Sequence, residues 1–177
     1  HPEQYGAVVL AVPAPQAVPL LAPVAPAGTV VAASVRMRGS WAVMMRYAAP
    51  VAMSWEGAFI NTGPLRWVAR DSSKPGRTGP ETWLLHASPE WSDAHMEDDA
   101  DAVTAVLIAA FVALGAPAPL AATAHRWRYA DTELALTKGS WWDASLRLGM
   151  CGDWLNGGKV EGAWLSGRAL AQQVQAA

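Results

Sequence analysis

The chain has 177 residues, enough for one domain of ordinary size or for a small domain with extensions. Hydrophobic residues make up 52% of it and charged residues only 16%, which predicts a large core or surfaces that meet a partner. A formal net charge of −2 gives no reason to expect a nucleic acid or an anionic membrane as partner. The single cysteine excludes an internal disulfide and favours the cytoplasm, and prolines interrupt the apolar start before it reaches bilayer-spanning length.

The first part of the chain predicts a strand, a short helix and a second strand. Residues 5–12 are almost wholly apolar, which is typical of a buried strand in a parallel sheet covered on both faces. Residues 16–21 follow two prolines and predict one or two helical turns. The Pro/Ala-rich residues 22–28 predict a connection, and the β-branched residues within 29–37 predict a strand.

The middle of the chain predicts a broad antiparallel sheet. Residues 41–48 alternate so that aromatic and large apolar side chains share one face, while alanine and methionine fill the other, and we expect both faces to be covered. Residues 58–61 and 65–70 predict a hairpin around Thr-Gly-Pro. Residues 71–80 predict a mobile loop, and residues 81–87 predict a further strand.

One long helix is predicted over 92–115. Acidic residues crowd its start, where they favour the positive end of the helix dipole, and an apolar stripe follows at helical spacing. Gly115 and Pro117 provide a stop signal. The acidic cluster could bind a cation, but a solvated helix start explains it better, and we predict no metal site.

Residues 121–129 predict a strand that carries a cluster of candidate site residues. Alternation places His125, Trp127 and Tyr129 on one face and Arg126 and Arg128 on the other. One face could therefore give an aromatic wall and an imidazole to a ring-shaped ligand. The alternative is a cross-strand aromatic ladder with solvated arginines, which the spacing alone favours.

The last thirty residues predict a strand, a glycine-bearing loop and a helix. An apolar run over 146–150 ends at Gly152 and Asp153, and a helix is expected from Val160 to about residue 174. Glycines within this helix, at positions 162 and 167, each cost about 1 kcal/mol relative to alanine. Such glycines indicate the close approach of a backbone or a ligand. Asp153 and Glu161 are placed to receive hydroxyls and to flank exposed helix N–H groups.

Three motifs in this C-terminal stretch occur together in one order: Gly-Asp at 152–153, Val-Glu-Gly-Ala at 160–163 and Ser-Gly-Arg-Ala at 166–169. The stretch resembles the C-terminal signature of flavin-dependent amine oxidases, most closely their renalase-like branch. His-Arg-Trp-Arg-Tyr-Ala at 125–130 and His-Ala-Ser-Pro-Glu-Trp-Ser at 86–92 are also similar to that branch. The resemblance extends from Val8 to about Leu170.

The resemblance implies FAD as cofactor and assigns roles to particular residues. The residues implied to bind the cofactor, through the ribityl chain and the flavin pyrimidine, are Gly152, Asp153, Glu161, Gly162 and Ala163. The residues implied to border the flavin and substrate cavity, and therefore the candidate catalytic residues, are His125, Trp127 and Tyr129. The resemblance also implies that Cys151 is a buried thiol without a covalent bond to flavin.

The implied fold is α+β, with a mainly antiparallel substrate-domain sheet, one long helix, and the closing strand–helix pieces of a Rossmann-like FAD-binding domain. Residues 1–28 and 146–177 would belong to the FAD-binding domain, and residues 29–145 to the substrate domain. No G-x-G-x-x-G unit occurs in the chain, which begins with His-Pro rather than methionine. We therefore expect a fragment whose partner is a missing N-terminal FAD-binding half, and which alone binds FAD poorly.

The implied activity is hydride transfer from a small-molecule substrate, a dihydronicotinamide isomer or an amine, to FAD, which O₂ then reoxidises. The lysine that many amine oxidases place near the flavin cannot be located, which favours the renalase-like branch. The alternative function is a non-catalytic domain that binds a ligand or partner through a tryptophan-rich sheet.

Two smaller chemical patterns also occur in the chain. Lys74 and Arg77 could steer a phosphate-bearing substrate or could simply be solvated. His86 could be paired with Ser88 as a nucleophile, or with His95 and Glu90 as metal ligands, but neither arrangement has a recognised motif and both are rejected.

Overall fold

The computed structural model describes residues 5–60 and 62–177, and it confirms the predicted α+β class. The strands are β1 (Val8–Leu10), β2 (Met37–Tyr47), β3 (Gly57–Phe59), β4 (Leu65–Arg70), β5 (Glu81–Ala87), β6 (Ala121–Thr132), β7 (Trp141–Asp143) and β8 (Leu148–Met150). The helices are α1 (Ala14–Leu21), α2 (Pro26–Ala33), α3 (Pro89–Ala94), α4 (Ala100–Val112) and α5 (Val160–Gln175), with short 3₁₀ turns at Asp71–Ser73 and Asp153–Leu155. Of the helices described, none is both long and apolar enough to cross a bilayer.

The chain divides into two compact units. The central unit is formed by residues 38–130. The terminal unit is formed by residues 131–177 together with the described part of 1–37. Each unit has its own apolar core.

The central unit is built on a five-stranded sheet in the order β3-β4-β5-β2-β6. β2 runs antiparallel to β5, so that Val43 lies opposite Leu85 and Met45 opposite Trp83. β4 pairs antiparallel with both β3 and β5. The predicted antiparallel strands are therefore confirmed, and β5 has the bounds that the sequence pattern indicates. The predicted hairpin is confirmed over its described residues, and residue 61 of its first predicted strand lies outside them.

One face of this sheet carries the core of the central unit. Val43, Trp83 and Leu85 are almost completely buried, and they pack in one cluster with Leu107 and Phe111 of α4. The ring centroids of Trp83 and Phe111 are 5.3 Å apart. Burial of each such side chain contributes about 1.5–3 kcal/mol. The core therefore explains why alternate residues of β2 and β5 are large and apolar.

The opposite face of the same sheet is more open than expected. Met44 on β2 is 44% exposed, and Arg46 is exposed as well. The expectation that β2 is covered on both faces is wrong within this unit, because α4 packs on one face only.

The terminal unit contains a three-stranded sheet in the order β1-β8-β7. β1 runs parallel to β8, and β7 runs antiparallel to it. Behind the sheet, Leu21 of α1 shares a buried cluster with Met150 and Trp154, and the Trp154 indole donates to the carbonyl of Val12 at 3.0 Å. β1 is shorter than the predicted strand, and it lies at the edge of the sheet rather than buried inside it, with Val8 48% exposed.

A helix replaces the strand predicted over 29–37. α2 begins at Pro26, whose fixed backbone angle suits the first turn of a helix. Gly28 is buried within it, and a Cβ there would lie 2.9 Å from the ring of Trp141. The β-branched residues suggested a strand, but the alanines and the close packing on Trp141 favour a helix. β7, which carries this tryptophan, was not predicted at all.

The single helix predicted over 92–115 is two helices. Ser88 caps α3 by accepting a hydrogen bond from the Trp91 N–H, and Pro89 occupies its first turn. Asp99 caps α4 by accepting from the N–H groups of residues 101 and 102. The acidic residues before Asp99 therefore lie in the turn between the helices and not in a first helical turn. The expectation of one helix over 92–115 is therefore wrong, because Ser88 and Asp99 each cap the start of a separate helix.

Candidate functional site

A cavity of about 1030 Å³ opens on the uncovered face of the central sheet. Its walls come from β2, β5 and β6 and from the segment 71–80, all within the central unit. Most of the strand residues that line it lie at alternate positions, including Met44, Arg46, Leu84, His86, His125 and Trp127, and the buried Met45 and Trp83 and the half-buried Ala122 border it as well. The alternation that buries one set of side chains against α4 thus presents the other set to this cavity.

Two of the three candidate catalytic residues lie together in this cavity. The rings of His125 and Trp127 meet edge to face with centroids 4.3 Å apart, and Trp127 is 55% exposed. Tyr129 follows on the same strand and is 38% exposed, but it does not line the cavity. An aromatic wall and an imidazole are therefore available to a ligand at this position, without the tyrosine.

The arginines of β6 meet an acidic neighbour. The guanidinium of Arg128 donates two hydrogen bonds to the Glu97 carboxylate, at 2.6 and 2.9 Å, while Arg126 donates to the carbonyl of Met96 at 2.6 Å. The hydrogen bond from Arg128 lowers the pKa of Glu97 from its ordinary value. Because Glu97 is exposed, this pair contributes little to stability. The predicted division of β6 is confirmed for His125 and Trp127, which border the cavity, and for Arg126 and Arg128, which meet Glu97.

His86 is a cavity residue that the sequence analysis did not select. Burial lowers its pKa, and the positive charges of Arg66 and Lys74 lower it further, so the imidazole is neutral at neutral pH. The alternation of Thr82, Leu84 and His86 within β5 could have indicated that His86 faces away from the core. The rejected metal arrangement is not formed, since His95 stacks on Trp91 and Glu90 pairs with Arg38.

Two ion pairs to one carboxylate hold the segment 71–80 together. The Asp71 carboxylate accepts from the Lys74 ammonium at 2.7 Å and from the Arg77 guanidinium. The hydrogen bond from Lys74 is the main cause of a lowered pKa at Asp71, which is therefore ionised at neutral pH. Gly76, with φ of +76°, allows the chain to turn between these partners. Lys74 and Arg77, which the sequence left open as either substrate-steering or solvated cations, are thus both paired with Asp71.

The residues implied to bind a cofactor lie in the terminal unit. The N–H of Gly152 donates to the Ser166 hydroxyl at 3.0 Å, which ties the end of β8 to α5. Asp153 follows and opens a 3₁₀ turn, and its carboxylate makes no hydrogen bond to the part of the chain that the structure describes. Glu161 is exposed in the first turn of α5, a helix whose N-terminus no side chain caps. Ala163 is half-buried one turn into the helix.

Close backbone approach accounts for one of the two helical glycines. A Cβ at Gly162 would lie only 2.0 Å from the carbonyl oxygen of Asn156, whose side-chain amide donates back to the Gly162 carbonyl at 3.2 Å. At Gly167, by contrast, a Cβ would meet no described atom within 4 Å. The interpretation of these glycines as sites of close backbone approach is confirmed at Gly162, whereas no described backbone approaches Gly167. Cys151 is buried, and burial raises the pKa of its thiol.

No family model matches the sequence. The fold is similar to a solved structure described as a "putative protoporphyrinogen oxidase" from Exiguobacterium sp. 255-15, with a TM-score of 0.72 and 11% sequence identity. The similarity covers 99% of this chain and 42% of that one, so the chain spans less than half the length of the Exiguobacterium protein. The chain therefore shares its fold with part of the Exiguobacterium protein.

Proposed function

We propose that the chain is the C-terminal portion of a flavin-dependent oxidoreductase whose small substrate occupies the cavity of the central unit. The observation that carries the proposal is the fold similarity, which extends over 99% of the chain and relates it to a protein described as an oxidase. The sequence motifs at 125–130 and 148–170 support the same class independently of that similarity.

The proposed reaction is hydride transfer from a dihydronicotinamide isomer, or from an amine as the wider alternative, to FAD that O₂ reoxidises. Bound FAD would supply the electron-accepting ring, and the chain's own residues would bind and orient the substrate. Trp127 offers a flat apolar face, and the neighbouring His125 offers a hydrogen-bonding nitrogen. Tyr129 lies outside the cavity, and we therefore assign it no contact with the substrate.

The residues of the terminal unit fit a cofactor rich in hydroxyls and anionic groups. The Asp153 carboxylate has acceptor positions that no described residue uses, which suits the hydroxyls of a ribityl chain. The N-terminus of α5 carries the positive end of the helix dipole and has no side-chain cap. We assign Asp153, Glu161 and Gly152 to the FAD-binding role, with Gly162 and Ala163 shaping the start of α5.

We also propose that a G-x-G-x-x-G unit outside this chain completes the cofactor site. Two observations support it. The edge strand β1 exposes nearly half of Val8 and of Val9, and an unpaired apolar edge is a surface that a further parallel strand can cover. The Exiguobacterium protein of similar fold is also more than twice as long as this chain. The single buried thiol fits a cytoplasmic protein.

A flavin titration of the protein containing this chain tests the proposal. We expect Asp153→Asn and Glu161→Gln each to weaken FAD binding by about tenfold, the effect of weakening one charge-assisted hydrogen bond from a cofactor hydroxyl to a carboxylate. Glu133→Gln is the matched control, because Glu133 is an exposed acid of the same unit that pairs with Arg36. Unchanged affinity in both test variants, or equal loss in the control, would count against the assigned roles.

The alternative, a non-catalytic domain with a tryptophan-rich binding sheet, has less support. Trp41, Trp83 and Trp154 are at most 2% exposed and build the two cores. Of the sheet's exposed tryptophans, Trp127 is the one that reaches the cavity together with polar groups. A protein that binds the substrate class but never takes up flavin would restore this alternative.

A further inference from the structure

Arg46 differs from the other cations of the central unit in having no side-chain partner among the residues that the structure describes. Its side chain makes no hydrogen bond and no ion pair to any described residue, although it lines the cavity. The other arginine that lines the cavity, Arg77, is held by Asp71. Away from the cavity, the same unit pairs its cations with carboxylates, as in Arg38 with Glu90 and Asp93, Arg70 with Glu81, and Arg128 with Glu97.

The position of Arg46 suits recognition of an anion. It projects from β2 opposite Thr82, beside the apolar side chains of Met44 and Leu84. A planar guanidinium presents a fork of N–H donors that matches the two oxygens of a carboxylate or the oxygens of a phosphate.

His86 and Asp71, which also line the cavity, do not offer an anion the free positive charge that Arg46 offers. Burial keeps His86 in its neutral form, so it cannot offer a competing positive charge at neutral pH. The Asp71 carboxylate is neutralised by its own two cations. An anion entering the cavity would therefore find one guanidinium that is not already committed.

We propose that Arg46 anchors an anionic group of the substrate, a carboxylate or a phosphate, while the planar part of that substrate packs beside Trp127. The proposal rests on the function proposed above, since it names the substrate class of the same cavity. His125, whose ring meets Trp127 edge to face, then borders the planar part. The selected substrate is a planar ring compound that bears a negative charge.

Calorimetric titration with matched probes tests the anchor without requiring flavin. Benzoate and benzamide have the same ring and nearly the same shape, and they differ in charge. We expect the protein that contains this chain to bind benzoate about tenfold more tightly than benzamide, and Arg46→Gln to abolish that preference. Arg46→Lys should retain part of it. Arg128→Gln removes one positive charge from the opposite face of the same sheet and should keep the full preference.

Inorganic phosphate distinguishes the two sources of negative charge. If phosphate displaces benzoate from the wild-type chain but not from Arg46→Gln, a phosphate-bearing substrate is indicated; if it does not, a carboxylate is indicated. Equal affinity for the two ring probes, absence of benzoate binding, or a preference that survives Arg46→Gln would overturn the anchor. These outcomes are independent of the flavin spectrum, so the anchor can fail while the flavin assignment stands.

Discussion

The two faces of the central sheet are built from the same strands and serve different purposes. One face places Trp83, Leu85 and Val43 against α4, with exposed fractions of 1% or less. The other face presents Arg46, His86 and Trp127 to a cavity. Neighbouring positions on β2 and β5 therefore alternate between residues that hold the fold and residues that are available to a ligand.

Substitutions on the two faces should therefore have different effects, one on the stability of the fold and the other on ligand binding. A residue on the buried face is surrounded by protein, so its removal leaves a cavity inside the core. A residue on the open face has solvent beside it, so its removal changes what the cavity can bind more than whether the sheet folds. Substitutions on the two faces, taken from the largest expected loss of stability to the smallest, test this division.

The largest loss is expected at Trp83. Trp83→Ala removes a side chain that is 1% exposed and packs against Trp55 and Phe111, with ring centroids 5.5 and 5.3 Å away. We expect the free energy of unfolding to fall by about 3–5 kcal/mol, measured by urea denaturation. A loss below about 1 kcal/mol would show that the core does not depend on this face.

A smaller loss, dependent on pH, is expected at Glu81. Burial opposes its charged form, but hydrogen bonds from the Trp83 indole, the Val51 N–H and Ser72, with the charge of Arg70, leave its pKa below the ordinary value. Because the folded pKa lies below the unfolded one, its contribution is complete above the unfolded value, 4.5, and is lost as pH falls through the folded value.

We expect Glu81→Gln to cost about 1–3 kcal/mol at neutral pH, since it weakens hydrogen bonds to a buried charge. The difference between variant and wild type should shrink as the pH is lowered below 4.5, as followed by urea denaturation at several pH values. A difference that stays constant across that range would mean that the carboxylate's charge is not what stabilises this edge of the core.

Little loss of stability is expected at Trp127. Its side chain is 55% exposed, so Trp127→Ala should lower the free energy of unfolding by no more than about 1 kcal/mol. The same variant should bind an aromatic probe such as benzoate several-fold more weakly, because it loses the flat face beside the ligand. Calorimetry and denaturation on one preparation measure both quantities. A stability loss comparable to that of Trp83→Ala would remove the distinction between the faces.

The smallest effect on stability is expected at Arg46. Because this side chain is exposed and has no partner among the described residues, Arg46→Gln should change the free energy of unfolding by no more than about 0.5 kcal/mol. A thermal melt checks this directly. A large destabilisation would indicate that Arg46 supports the fold. Probe binding by Arg46→Gln would then have to be compared with probe binding by Arg46→Lys, which keeps the positive charge.

The sequence predicted those parts of the fold where periodicity is long and regular. β2, β5, β6 and α5 follow their patterns closely, because two-residue alternation and helical spacing are maintained over many positions. α2 was missed because three β-branched residues outweighed the proline start and the alanines in the local pattern. The sequence predicted a single helix over 92–115 because the N-cap residue of the second helix, Asp99, lies within a run of acidic residues.

The candidate site was predictable only in part. Alternation on β6 identified His125 and Trp127, but it also selected Tyr129, since strand periodicity does not show where a cavity ends. His86 and Arg46 were not selected because their position depends on which face of β2 and β5 the helix α4 covers. That information is tertiary, and it is absent from the pattern of any single strand. The FAD-binding roles in the terminal unit remain predictions.

The most direct test of the flavin assignment is the visible absorption spectrum of the natively purified protein that contains this chain, taken together with its intact mass. We predict flavin bands on a polypeptide whose mass exceeds the 18.7 kDa of the 177 residues. Release of free FAD on denaturation would identify the cofactor. A colourless protein of the larger mass, which takes up no FAD on titration, would contradict the account.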